Sequence, residues 1–203
     1  MNVQIAIAAV VLSSFALSAH AQGQSASDDD AQRAEVALSN ETLQLNYVGR
    51  NGQIGEGGQI NGAFFLSEER DIVLSGGVMF PAGLPDNLTV GRRLTVRFGP
   101  QVYAALLQEE NNDVFATSLG IQARFVLNRR MGLAVAGSAF YAPDILTFGS
   151  ADNLTDLSAR VEMQVAPELV AFGGMRWFEF DLTEGGGTTT LQDELFFGVG
   201  YRF

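Results

Sequence analysis

Arg160 and Glu162 stand two residues apart in the segment LSARVEMQV, and Arg97, Arg124, Arg176 and Glu194 hold comparable places in other segments. An Arg beside a carboxylate makes charge-assisted, often bidentate hydrogen bonds. Arg also keeps its charge when desolvated, which Lys does not, and all 12 cations of this chain are Arg. The chemistry on offer is therefore ion pairing or anion passage. If these side chains share one enclosed face, removing Glu162 strands Arg160, and removing both restores part of the stability. Bond-breaking chemistry is poorly supplied. The chain has no Cys or Lys, and its one His, His20, sits in an N-terminal apolar segment. That excludes a Ser-His-Asp triad, a zinc site of His and Cys, and a cysteine nucleophile from the rest of the chain. An enzyme would have left only a carboxylate pair such as Asp144 with Asp152 or Asp156. Asp28-Asp29-Asp30 lacks the spacing of a calcium loop and reads as a solvated charge run. No residue is assigned a catalytic, metal or cofactor-binding role, and no cofactor is expected.

Residues 5–19 form an apolar run shorter than the roughly 20 residues that span a bilayer as a helix. Ala19-His20-Ala21 then offers a small-x-small cleavage site. Residues 1–21 are read as a secretory signal peptide, although Met1–Gln4 lack the usual cation. Residues 22–33 follow as a flexible acidic periplasmic leader, and 34–203 as one domain. The net charge of −11 argues against nucleic acid as a partner. A hydrophobic content of 47% with only 5 Pro argues against disorder.

Beyond residue 34 the period is two, which positions the charged residues on one face of strands. Leu157, Ala159, Val161, Met163 and Val165 alternate with Ser158, Arg160, Glu162 and Gln164. Phe115–Leu127 repeats the pattern, and in the last residues Leu195, Phe197, Val199, Tyr201 and Phe203 alternate with Glu194, Phe196, Gly198, Gly200 and Arg202. Weaker versions lie at Leu43–Tyr47, Ile60–Leu66, Ile72–Phe80, Leu94–Leu106, Leu133–Tyr141 and Val170–Phe180. Several segments reach the roughly 9–11 residues that cross a bilayer as a tilted strand. Aromatics crowd their ends (Tyr47, Phe80, Tyr103, Phe115, Tyr141, Trp177, Tyr201, Phe203), as interfacial girdles do. The expected fold is all-β: a transmembrane, antiparallel, up-and-down barrel. The ending also resembles the C-terminal signature of bacterial outer-membrane proteins. That resemblance implies that Leu195, Phe197, Val199, Tyr201 and Phe203 form an outward face read by the barrel-assembly machinery.

Nine segments are visible and single-chain barrels have an even count, so a short strand near Glu35–Leu38 is added to give ten; eight, with Leu43–Tyr47 left periplasmic, is the alternative. Ala166-Pro167-Glu168 and Asn128-Arg129-Arg130 fall on the periplasmic side, and 108–113, 143–153 and 183–192 outside. Pro100 removes one ladder donor and raises the prospect of a bulge. Arg97, Gln101, Arg124, Arg160, Glu162, Gln164, Arg176 and Glu194 are expected to point into the lumen.

Phe140-Tyr141-Ala142-Pro143-Asp144-Ile145-Leu146, then Ala166-Pro167-Glu168-Leu169 and Gly174-Met175-Arg176, resemble the YfaZ family of small outer-membrane proteins over roughly Phe65 to Phe203. The family carries a Tyr-small-Pro-Asp strand exit, a Pro-containing turn and a Gly-aromatic-Arg strand; Met175 replaces the aromatic. The resemblance implies fold and location and brings no activity with it. The expectation is a non-enzymatic, monomeric barrel of the bacterial outer membrane with its lumen filled by an Arg/Glu network. Its expected partners are outer-membrane lipids, lipopolysaccharide and the assembly machinery. The alternatives are a narrow channel for small solutes or, less favoured, a carboxylate enzyme of the outer membrane.

Overall fold

The structure, a computed structural model, describes residues 32–50, 57–68, 71–83, 93–107, 112–149, 151–182 and 188–203. The signal peptide and nearly all of the acidic leader expected from the sequence lie outside these residues. The alternating segments form eleven strands: β1 (Arg33–Leu38), β2 (Thr42–Arg50), β3 (Gln59–Ser67), β4 (Ile72–Pro81), β5 (Leu94–Leu107), β6 (Asn112–Asn128), β7 (Leu133–Ala142), β8 (Thr147–Gly149), β9 (Ala151–Gln164), β10 (Leu169–Leu182) and β11 (Thr188–Arg202). Each long strand pairs antiparallel with its sequence neighbour, and β1 pairs with β11 from Arg33↔Arg202 to Leu38↔Phe197. The sheet therefore closes as a ten-stranded barrel. The three-residue β8 adds no stave. After a 3-10 turn at Asp144–Leu146 it takes over beside Ala116–Val114 of β6, just beyond the last rung that β7 makes. Closure satisfies the backbone without an open edge, as a sheet needs inside a bilayer.

The strand near Glu35–Leu38 that parity demanded is β1, and its six residues make it the shortest stave of the wall. Other strands run longer than periodicity showed. Residues 151–153 and 188–192, expected in outer loops, belong to β9 and β11. Their short polar side chains read as turn formers, yet Asn153 pairs with Asp181 and the Thr188 hydroxyl donates to Asp181 at 2.7 Å. Pro100 causes no register shift. It keeps its rung with Leu119 of β6, while pairing with β4 lapses only at Val78 and Met79, opposite the missing donor. Gly99 lets the strands come that close: a Cβ there would lie 1.9 Å from the Val78 carbonyl oxygen.

The apolar face of each strand points outward. Leu195, Phe197, Val199, Tyr201 and Phe203 are all exposed, as are Leu119, Ile121, Val161, Met163 and Met175. Such a surface is stable against lipid and untenable in water. Among the aromatics expected in a girdle, Tyr47, Phe115, Tyr141, Trp177, Tyr201 and Phe203 are exposed, but Tyr103 is only 1% exposed and points inward. Its odd number on β5 shares the phase of Gln101 and Arg97.

The interior has two layers. Toward the rim opposite Phe203, inward side chains form one apolar cluster that includes Phe65, Tyr103, Leu107, Leu154, Phe178 and Phe180. Toward the rim of Phe203 the inward positions are Arg, Glu, Gln, Asn and Ser. The larger apolar cluster thus fills the end opposite Phe203, while a smaller one of Ala37, Phe172 and Phe196 sits among the polar groups.

Candidate functional site: the barrel lumen

On β9 the even positions face inward, so Asp156, Ser158, Arg160 and Glu162 line one meridian of the lumen. Neighbouring strands present small residues there: Arg160 lies opposite Gly174 on β10 and Ala136 on β7, and Glu162 opposite Ala134. A Cβ on Gly174 would approach the Arg160 Cβ to 2.7 Å, so the glycine makes room for the long side chain.

Two charged groups result. In the first, Arg160 holds Glu35 with both terminal nitrogens, at 2.8 and 3.0 Å, and donates from Nε to Glu162 Oε1 at 2.9 Å. Arg124 Nε donates to Glu162 Oε2 at 2.8 Å, and Arg33 Nε lies 2.7 Å from Glu35 and its Nη1 3.6 Å from Glu162. Three guanidinium groups thus share two buried carboxylates. The Arg160 guanidinium also lies 4.7 Å above the Phe172 ring, which shields it from the lumen on that side. In the second group Arg176 grips Asp156 through Nε and Nη2, both at 2.9 Å, and donates from Nη1 to Gln44 at 3.0 Å. Tyr103 donates its hydroxyl to the same Asp156 at 2.9 Å. Arg176 sits 4.5 Å from the Phe178 ring and 5.6 Å from Phe65, so it forms the floor between the polar and apolar layers.

Of the residues singled out in the sequence, Arg124, Arg160 and Glu162 meet in the first group and Arg176 lies in the second. Arg97 and Gln101 line the same lumen, and Gln101 accepts from Asn61 at 2.8 Å. Two stand apart. Glu194 accepts from the Ser39 hydroxyl at 2.7 Å and the Asn40 amide at 3.1 Å, capping the β1–β2 turn. Gln164 donates to the Pro167 carbonyl at 2.9 Å, bracing the β9–β10 turn. Both have inward phase, but Gln164 lies a step beyond Glu162 toward its turn, and Glu194, although opposite Arg176, is taken by the turn that ends the short β1. Arg33, Glu35, Asp156, Tyr103 and Gln44 were missed. Their shared phase shows once the strands are placed: Arg33 and Glu35 alternate on β1, and Asp156 lies two and three steps along the face of Arg160 and Glu162.

Of the carboxylates an enzyme would need, Asp144 and Asp156 are placed differently. Asp144 is exposed in the 3-10 turn, while Asp156 is committed to Arg176 inside the barrel. No group of three His, Asp or Glu that could hold a metal forms among the described residues.

A family model described as "YfaZ precursor" matches residues 3–203. The chain belongs to the YfaZ family. No curated protein matches the sequence. Among solved structures, a bacterial polysaccharide outer membrane secretin is similar at 15% identity and TM-score 0.51, over 80% of this chain and 56% of that one. The chain thus spans little more than half of that protein's length. The KdgM porin aligns at 9% identity and TM-score 0.46, over 85% of this chain and 99% of that one. The NanC porin aligns at 11% and 0.39, over 85% and 98%. The first of these likenesses supports a barrel of the outer-membrane type. In this YfaZ-family chain the resembling residues occupy defined places. Tyr141 and Ala142 end β7 and Pro143 leads into the 3-10 turn; Ala166-Pro167-Glu168 turn β9 into β10. Gly174 and Arg176 face inward on β10, with Met175 exposed between them.

Proposed function

We propose that this YfaZ-family barrel is a non-enzymatic protein of the bacterial outer membrane whose lumen is closed. The signal peptide read at 1–21 and the lipid-compatible exterior support the location, with the rim of Phe203 in the periplasm. That orientation puts the apolar layer at the cell-surface end and the charged groups toward the periplasm. Lipids, lipopolysaccharide and the assembly machinery remain the proposed partners, and the barrel acts as a monomer.

The observation that carries the closed reading is the apolar layer. Phe178, Phe180 and Leu154 have no exposed surface and Tyr103 almost none, so side chains fill that half of the lumen. The seal is the apolar layer, with the Arg/Glu groups beneath it. In planar bilayers the refolded wild type should give no sustained conductance steps. Phe178→Ala should give steps, because a large void opens where the ring met Phe65, Tyr103 and Phe180. Glu162→Ala alone should stay silent. Sustained anion-selective steps from the wild type would instead support the narrow-channel reading, which the Arg-lined cavity favours.

A further inference from the structure

Beneath the apolar layer the lumen keeps a cavity of about 210 Å³. Among the described residues, six guanidinium groups line it against three carboxylates: Arg33, Arg97, Arg124, Arg160, Arg176 and Arg202, with Glu35, Asp156 and Glu162. Its other wall, on β2 to β6, is made of amides, among them Gln44, Asn46, Gln59, Asn61, Gln101 and Gln122. The Asn61 Oδ1 is buried and accepts no hydrogen bond among the described residues. The lining reaches the strand ends at Arg33 and Arg202, whereas Phe178 and its neighbours close the far side.

We infer that this cavity is a blind carboxylate-binding site, reached from the rim of Phe203 and built for a small hydroxylated acid. Excess positive charge inside a low-dielectric wall attracts and holds an anion. A guanidinium recognises a carboxylate through two parallel bonds, and the amide wall offers both donors and acceptors to hydroxyls. The volume is below that of sites for drug-sized ligands, which fits a compact solute. Carboxylates could come from a free solute or from the chain itself, since Asp28-Asp29-Asp30 precede Arg33 by only a few residues. The one-sided access rests on the closed lumen proposed above. Binding does not, so the two readings fail separately.

The test is calorimetric titration of the refolded chain in detergent with sodium gluconate and with sorbitol, which has the same carbon chain and no carboxylate. Gluconate should bind once per chain and sorbitol should not, and raising salt to about 0.5 M should weaken binding through screening. Arg97→Gln with Arg202→Gln spares the two charged groups described above and should weaken gluconate about tenfold or more. If that variant does not fold, the contrast between gluconate and sorbitol on the wild type still decides. Binding that appears only in Asp28→Asn, Asp29→Asn, Asp30→Asn identifies the chain's own carboxylates as the occupant of the same site. Absence of gluconate binding in both chains, or equal binding of sorbitol, overturns the inference.

Discussion

Glu162 is the acid on which Arg33, Arg124 and Arg160 converge, and its side chain is 1% exposed. Replacing it with Ala leaves buried cations short of a partner, at a cost of about 3–5 kcal/mol. We expect Glu162→Ala to lower the urea midpoint of the refolded barrel accordingly. Sequence alone suggests that removing Arg160 as well returns part of that loss. The structure reverses the expectation, because Arg160 also holds Glu35 bidentately and its loss leaves that buried acid with Arg33 alone. Arg160→Ala on top of Glu162→Ala should therefore destabilise further, and recovery in the same urea titration would show that Glu35 does not depend on Arg160. Alternation made Arg160, Glu162, Arg124 and Arg176 legible as inward. It hid Glu35, whose strand is too short to display a period, and Asp156, whose neighbours Asp152 and Asn153 looked like a loop.

Strand β10 shows how glycine, rather than charge, sets the layout. A Cβ on Gly174 would sit 2.2 Å from the Ala159 carbonyl oxygen as well as against Arg160, so β9 would have to move. Gly174→Ala should cost about 1–3 kcal/mol, as overpacking does. It should appear as a smaller heat-modifiable fraction on gels, and unchanged folding would mean the strands part freely there. At the seam, small Ala34 lies between Tyr47 on β2 and Tyr201 on β11, which lets the Tyr47 and Phe203 rings approach to 6.5 Å across β1, with Tyr201 stacked on Phe203 at 6.3 Å. Phe203→Ser removes the ring common to both contacts. Its folded yield should fall and its protease sensitivity rise, with synthesis unchanged. Nine of the ten staves and most of the outward aromatics could be read from period two, because lipid and lumen impose opposite chemistry on alternate residues, and the tenth came from the even strand count. The apolar layer could not, since an inward Phe178 or Phe180 leaves the alternation with no polar phase to detect.

The barrel is a single cycle of hydrogen-bonded staves, and a cycle holds no better than its shortest link. That link is β1, six residues joined by six rungs to β2 on one side and six to β11 on the other. The same strand carries Arg33 and Glu35 into the charged belt, so the closure of the wall and the filling of the lumen meet in one element. In mechanical language, β1 is a latch. Pulled from the rim of Phe203 by a cantilever attached ahead of Arg33, the molecule should yield first by peeling β1 and β2, releasing the chain up to Arg50 in the first force peak. Glu35→Gln should lower that peak more than later ones, because it weakens the ionic catch and leaves the other ladders intact. Equal lowering of every peak would show that the force is shared around the ring. A protein built this way resists pulling along the plane of the membrane and gives way along the axis on which its chain was threaded.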